Sequence, residues 1–282
     1  MFHLELFSSS IATSGSNTFQ QLTYVSADAI LPTQINGLTV ISDLPYLHSV
    51  IGVGSHLCHQ RLQFVSMQPM PYITIDPGNR GSAIESPPRV WDISAAPRRL
   101  RITEEFDVFV TQNSGGAETE YVATQFCDGP VQMIPVTLNP LGLEIAALTP
   151  GQFLSAHATA TTTLVGGAWT QVIPAFDLPL PAGTYGVVGM RVFSATGLFF
   201  RLFPATGPKW RPGGHCVQSY DAIDWWGQRA IPWGGKVLTP WGIWMTFYQN
   251  VPPKVEIFPT GNDTAEEFDF DLVYLGPQVM GG

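Results

Sequence analysis

Pro181-Ala-Gly-Thr-Tyr-Gly-Val-Val-Gly-Met-Arg-Val-Phe193 is a run of β-branched and aromatic residues opened by Pro and Gly, and Leu198-Phe-Phe-Arg-Leu-Phe203 follows it closely. Val, Tyr and Phe fit a pleated surface, and Gly and Pro punctuate turns, so both stretches read as strands. The same texture recurs outward in both directions. Strands are expected at Gln21–Val25, Gly37–Ser42, Arg61–Ser66, Arg98–Thr111, Thr119–Cys127, Val131–Leu138, Phe153–Thr163, Gly242–Gln249, Lys254–Phe258 and Glu267–Leu275. Weaker patterns mark Phe2–Leu6, His48–Val53, Tyr72–Ile75, Trp169–Ile173 and His215–Ser219. Helical turns are expected only at Asn139–Leu148, with Pro140 in its first turn, and at Ser219–Trp226. Many short strands and few helices predict an all-β sandwich or barrel.

Composition bounds the surface. Charged residues are 12% of the 282, against about 25% in ordinary soluble domains, while hydrophobic residues are 45%. So little charge suits a chain whose outside is covered by neighbours. The net charge is −9, and the start MFHLELFSSS holds no Lys or Arg. Binding to nucleic acid without sequence preference needs clustered cations, so no basic arm for genome packaging is expected. Three cysteines, Cys58, Cys127 and Cys216, make no disulfide framework and are compatible with a reducing compartment. Neither a signal peptide nor an apolar run long enough to cross a bilayer is seen.

A weak repeat appears at an offset of about half the chain. Ala117-Glu118 leads into Tyr121–Cys127, as Ala265-Glu266 leads into Phe268–Leu275. Leu31-Pro32 precedes Gly37–Val40, as Leu178-Pro179 precedes Gly183–Val187. With about eight strands per half, the reading is two tandem eight-stranded jelly-roll sandwiches, 1–130 and 131–282. The alternative is one jelly roll with long loops at Met67–Pro97 and Pro204–Pro240.

The second half carries a resemblance. Pro181–Phe193, Arg201-Leu-Phe-Pro204, Arg211-Pro-Gly-Gly214, Pro252-Pro-Lys-Val-Glu-Ile-Phe258 and Asp263–Val273 are similar in pattern to double jelly-roll major capsid proteins of tailless icosahedral phages. Pro97-Arg-Arg-Leu100 and Gly115-Gly-Ala-Glu118 extend the likeness into the first half. The resemblance implies a non-enzymatic virion protein that self-assembles as a homotrimer into pseudo-hexameric capsomers of an icosahedral shell. It also implies assembly in the host cytoplasm, with other capsid proteins as further partners.

Five of the eight tryptophans, Trp225, Trp226, Trp233, Trp241 and Trp244, lie within twenty residues. With Phe247 they read as core packing or the centre of a subunit interface, where Trp is enriched. A sugar-stacking platform is the rival reading, and it would make the chain a carbohydrate-binding β-sandwich such as a receptor-binding or spike protein. The dense basic spots, Arg98, Arg99 and Arg101 and then Lys209 and Arg211, are expected in ion pairs between subunits. His56, Cys58 and His59 are a weak metal candidate, with His215-Cys216 as a second pair, but neither has a zinc-ribbon spacing. No metal or other cofactor is expected. Nor is catalysis: there is no Gly-x-Ser-x-Gly elbow, and Glu104-Glu105 and Glu266-Glu267 are adjacent residues that would face opposite ways on a strand.

Overall fold

Thr184–Phe193 forms one strand, hydrogen-bonded on one side to Glu266–Gly276 and on the other to Met245–Tyr248. Its Val187, Met190 and Val192 are fully buried, as the apolar run requires. A computed structural model of the chain describes residues 2–15, 18–25, 38–39, 46–54, 58–64, 72–75, 78–79, 89–92, 98–99, 105–113, 115–127, 153–203, 211–216 and 245–276. Among these, all regular structure is strand. The expected strand Val131–Leu138 and both expected helices lie outside the described residues.

The chain divides into two compact units, His3–Pro130 and Val131–Gly282. The first holds β1 (Phe2–Ile11), β2 (Gln20–Gln21), β3 (Thr23–Tyr24), β4 (Leu38–Thr39), β5 (Tyr46–Gly54), β6 (Cys58–Phe64), β7 (Tyr72–Ile75), β8 (Gly78–Asn79), β9 (Arg89–Asp92), β10 (Arg98–Arg99), β11 (Glu105–Gln112) and β12 (Glu118–Cys127). The second holds β13 (Phe153–Ala160), β14 (Thr170–Val172), β15 (Ala175–Phe176), β16 (Thr184–Phe193), β17 (Gly197–Phe203), β18 (Gly213–His215), β19 (Met245–Tyr248), β20 (Lys254–Pro259) and β21 (Glu266–Gly276).

Strand order identifies both units. In the second, one sheet runs β15-β13-β21-β16-β19 and the other β14-β20-β17-β18. Setting aside β15, the eight strands stand in order first-eighth-third-sixth and second-seventh-fourth-fifth. In the first unit the corresponding sheets run β10-β5-β12-β1-β3 and β2-β11-β6-β7, the same order. This is the two-sheet, double Greek-key arrangement of a jelly roll. The chain therefore contains two jelly rolls, not one with long loops.

Two interruptions explain four of the short strands, while β8 is a separate two-residue piece that pairs in parallel with Val53 and Gly54 of β5. Along β11, Val110 and Phe109 pair with Gln20 and Gln21 of β2, and further on Phe106 and Glu105 pair with Leu38 and Thr39 of β4. Along β5, Gly52 to Ser49 pair with Arg89 to Asp92 of β9, then Leu47 and Tyr46 with Arg98 and Arg99 of β10. So β2 with β4, and β9 with β10, are broken pieces of the second and sixth strands. Both units also turn the same corner: β2 gives way at buried Leu22 to β3, which crosses to β1, and β14 gives way at Ile173-Pro174 to β15, which crosses to β13.

Three expectations are corrected. Arg98–Thr111, read as one strand, is split between the sheets, because β10 pairs with β5 and β11 with β6. Met67–Pro97, a long loop in the one-jelly-roll alternative, contains β8 and β9 as well as β7, which is the expected strand Tyr72–Ile75. Of the two sequence repeats, Glu118 and Glu266 do open equivalent eighth strands, but Leu38-Thr39 pairs with the seventh strand whereas Thr184 opens a third.

Alternation builds the core. On β21, Phe268, Phe270 and Leu272 are buried on one face while Glu267 and Asp269 stay half-buried on the other. Each Phe so buried contributes about 1.5–3 kcal/mol. β18 approaches β17 so closely that a Cβ on Gly213 would lie 2.2 Å from the Phe200 carbonyl oxygen. Gly213→Ala is therefore expected to destabilise the chain by about 1–3 kcal/mol, read as a lowered denaturation midpoint. Gly115→Ala, where nothing lies within 4 Å, is the control and is expected to move it far less.

Candidate functional site

An antiparallel sandwich sheet ordinarily shows one face to water. The β14-β20-β17-β18 sheet does so at β14, where Gln171 is exposed, but not along β20 and β17. Register places Val172, Val255 and Leu202 on one face, and Gln171, Glu256, Arg201 and Gly213 in a row across the other. The inner residues are buried, but so are Arg201, Glu256, Phe199 and Phe258. The Arg201 Nη2 donates to Glu256 Oε2 at 2.8 Å, and Arg211 Nη1 donates to the same oxygen at 2.7 Å. Arg201 lies 3.9 Å over the Trp169 ring and Arg211 4.2 Å over Phe203. A guanidinium is planar and weakly hydrated, so it tolerates burial against aromatic faces where an ammonium would not.

One carboxylate between two guanidiniums is a fixed structural cluster. Burial shifts ionisable groups elsewhere as well. In the first unit His48 is fully buried, and burial lowers its pKa to about 3. Cys216 is buried and held well above the ordinary thiol range, first by burial and then by the charge of Glu266, so it is a poor nucleophile. Two further clusters are paired. In the first unit, buried Glu5 meets His3 Nε2 at 2.5 Å and accepts from the Tyr24 hydroxyl at 2.7 Å. On the second unit's other sheet, Arg191 bonds Asp269, and half-exposed His157 meets Asp177 at 2.6 Å. The Asp177 hydrogen bond is the main cause that raises the His157 pKa.

The residues singled out from sequence are placed unevenly. Arg211 finds its acid within its own chain. Arg98 is half-buried and Arg99 exposed on β10, while Arg101 and Lys209 lie outside the described residues. Trp225, Trp226, Trp233, Trp241 and Trp244 also lie outside them. Phe247 is buried, stacked on Tyr185 at 5.6 Å and on Phe176 at 6.4 Å between ring centres, so it belongs to the core of the second sandwich. His56 is outside the described residues, Cys58 is described by its backbone alone, and His59 is exposed. Among the described residues no three His, Cys, Asp or Glu side chains form a metal-binding group. Cys127 and Cys216 are both buried.

Sequence reading missed Arg201 and Glu256 as a pair, though a signal was there. Each stands alone inside an apolar run, Phe-Phe-Arg-Leu-Phe and Val-Glu-Ile-Phe, where a charge is rarely buried unless paired.

No protein-family profile matches the chain, and no curated protein does. Among solved structures it aligns with the major capsid protein P2 from bacteriophage PM2 at 11% identity and a TM-score of 0.26, over 98% of each chain. It aligns with the STIV major capsid protein at 10% identity and a TM-score of 0.24, over 98% of this chain and 97% of that one. The jelly-roll assignment rests on the strand order described above, not on these alignments.

Glu256→Gln should leave two buried guanidiniums without their carboxylate and cost about 3–5 kcal/mol in a urea titration. For His48 the sign is opposite to that of a paired histidine. Between its unfolded value of 6.5 and its folded value of about 3, only the unfolded chain takes up the proton. The stability it contributes is thus complete above pH 6.5 and declines as pH falls toward 3, and His48→Leu should flatten that acid limb of a melting profile.

Proposed function

We propose that the chain is a non-enzymatic structural protein of a virion, a major capsid protein whose copies assemble into a shell. The observation that carries this reading is the tandem pair of jelly rolls with one strand order, on a chain with 12% charged residues. Jelly rolls serve capsids and lectins. Two like sandwiches per chain add a further argument: a closed trimer presents six of them, a pseudo-hexameric outline that tiles a surface. The charge-poor exterior supplies the drive, since copies that meet through it bury apolar area at roughly 25 cal/mol per Å2, less the costs of association. Interfaces of the obligate class, about 2,000 Å2 or more, follow from this.

On this reading residues 1–130 and 131–282 are the two sandwiches of each capsomer, and the chain's partners are its own copies and other capsid proteins, with no sequence-specific contact to nucleic acid. Assembly takes place in the host cytoplasm. Trp241 and Trp244 take part in a subunit contact or in the core directly beneath it, and Arg98, Arg99, Arg101 and Lys209 in ion pairs between subunits.

Sedimentation of the purified chain decides the matter. Trimers and larger assemblies are expected at micromolar concentration, with a hexagonal outline in negative stain, and a monomer at every concentration would overturn the reading. Trp241→Ala combined with Trp244→Ala should abolish assembly or folding. Selective, strong binding of an isolated trimer to a glycan array would favour the carbohydrate-binding alternative instead.

A further inference from the structure

Glu266 opens β21 opposite Ala160 of β13, at an end of the second sandwich where several turns are laced together. Gly197 N–H donates to Ser194 Oγ at 2.7 Å across the β16–β17 turn, and Cys216 N–H donates to the Leu198 carbonyl at 2.8 Å. Thr260 N–H donates to the Thr196 carbonyl at 2.9 Å, and Leu164 N–H to the Asp263 carbonyl at 2.7 Å. Inside this lacing the Glu266 side chain is cut off from water, the residue being 1% exposed. Neither of its carboxylate oxygens has a hydrogen-bond partner of normal length, and neither does Asp263 Oδ2. The titratable group that acts on it is Asp263, from the β20–β21 turn, and its own charge acts in turn on the Cys216 thiol, from the segment after β18. The Ser194 hydroxyl at the end of β16 faces it as well. Its neighbour Glu267 points to the opposite face, toward His157.

A lone ionised carboxylate in such a place is costly, whereas the neutral acid costs little. We propose that this end of the second jelly roll is a proton-operated latch, closed while Glu266 holds a proton and loosened when it ionises. The charged form must gain water or move, and the turns at Ser194–Gly197, Thr260–Glu266 and Cys216 are what stand in its way. Burial raises the Glu266 pKa from 4.5 to about 7; the Ser194 hydroxyl pulls it down by less than burial lifts it, and the charge of Asp263 adds the smallest upward push. In that window the folded chain binds a proton that the unfolded chain has lost. The stabilisation is therefore complete below pH 4.5 and is lost as pH rises to about 7. The folded-to-unfolded ratio falls across it by roughly a hundredfold or more. The inference does not depend on the capsid reading, because the latch belongs to the single sandwich.

The test compares the full chain with Glu266→Gln from pH 4.5 to 8.5. Denaturation midpoints give the difference between the two proteins, which cancels the opposing contribution of His48. Hydrogen exchange in peptides covering 194–199, 213–216 and 260–266, corrected for intrinsic rate, gives the location. In the wild type, exchange there is expected to rise through a midpoint near pH 7, and in Glu266→Gln to stay flat. Identical pH slopes in both proteins, or no rise in those peptides, would overturn the latch. If Glu266→Gln does not fold, Asp263→Asn serves: removing the neighbouring charge should move the exchange midpoint to lower pH, and an unmoved midpoint overturns the idea. Calcium chloride that restores protection at pH 8 would also overturn it, by showing a cation between the two acids.

Discussion

Each sandwich is closed by its last strand, which inserts between the first and the third. β12 lies between β1 and β5, and β21 between β13 and β16. Until that strand arrives the sheet has no centre, and the two strands it joins have nothing to bond on their facing sides. Phe153 of β13 pairs with Val273 of β21, so the ends of almost the whole second unit must meet before the pairing is rewarded. Loop closure of that span costs entropy in advance, and topologies of this kind fold slowly. The strand that bears this constraint buries apolar side chains along it: Val122, Ala123 and Phe126 in one unit, Phe268, Phe270 and Leu272 in the other. The pieces that turn the corner between sheets, β2, β3, β14 and β15, are only two or three residues long.

The interior treats ionisable groups by a single rule. Where ions of opposite sign are buried together, as with Arg201, Arg211 and Glu256, two hydrogen bonds to one carboxylate oxygen tie β17, β20 and the segment before β18 to one another. Where desolvation dominates, the neutral form is favoured: His48 is pushed down, Cys216 and Glu266 are pushed up. Desolvation is the first cause in all three, so the low polarity of the surroundings governs these groups more than any neighbour does.

Burial of cations also sharpens the argument from composition. The chain has thirteen Lys and Arg residues, and Arg191, Arg201 and Arg211 are inside. The exterior is thus poorer in positive charge than the formula suggests. That strengthens the case for surfaces meant to meet other surfaces, and it leaves less for phosphate.

Local pattern by itself determined where many strands lie. Thr184–Phe193 and Lys254–Phe258 are legible because β-branched and aromatic residues run between turn-formers, and that chemistry is local. The shared opening of β12 and β21 at Glu118 and Glu266 was legible for the same reason. Pairing was another matter. That Arg98-Arg99 and Glu105–Gln112 sit in different sheets, and that Leu38-Thr39 completes a second strand, depends on partners far away in the chain. The Arg201–Glu256–Arg211 cluster and the isolation of Glu266 were likewise decided by tertiary structure alone. A strand's pattern records which of its faces is apolar, but it is folding that brings a partner to a charged side chain or withholds one.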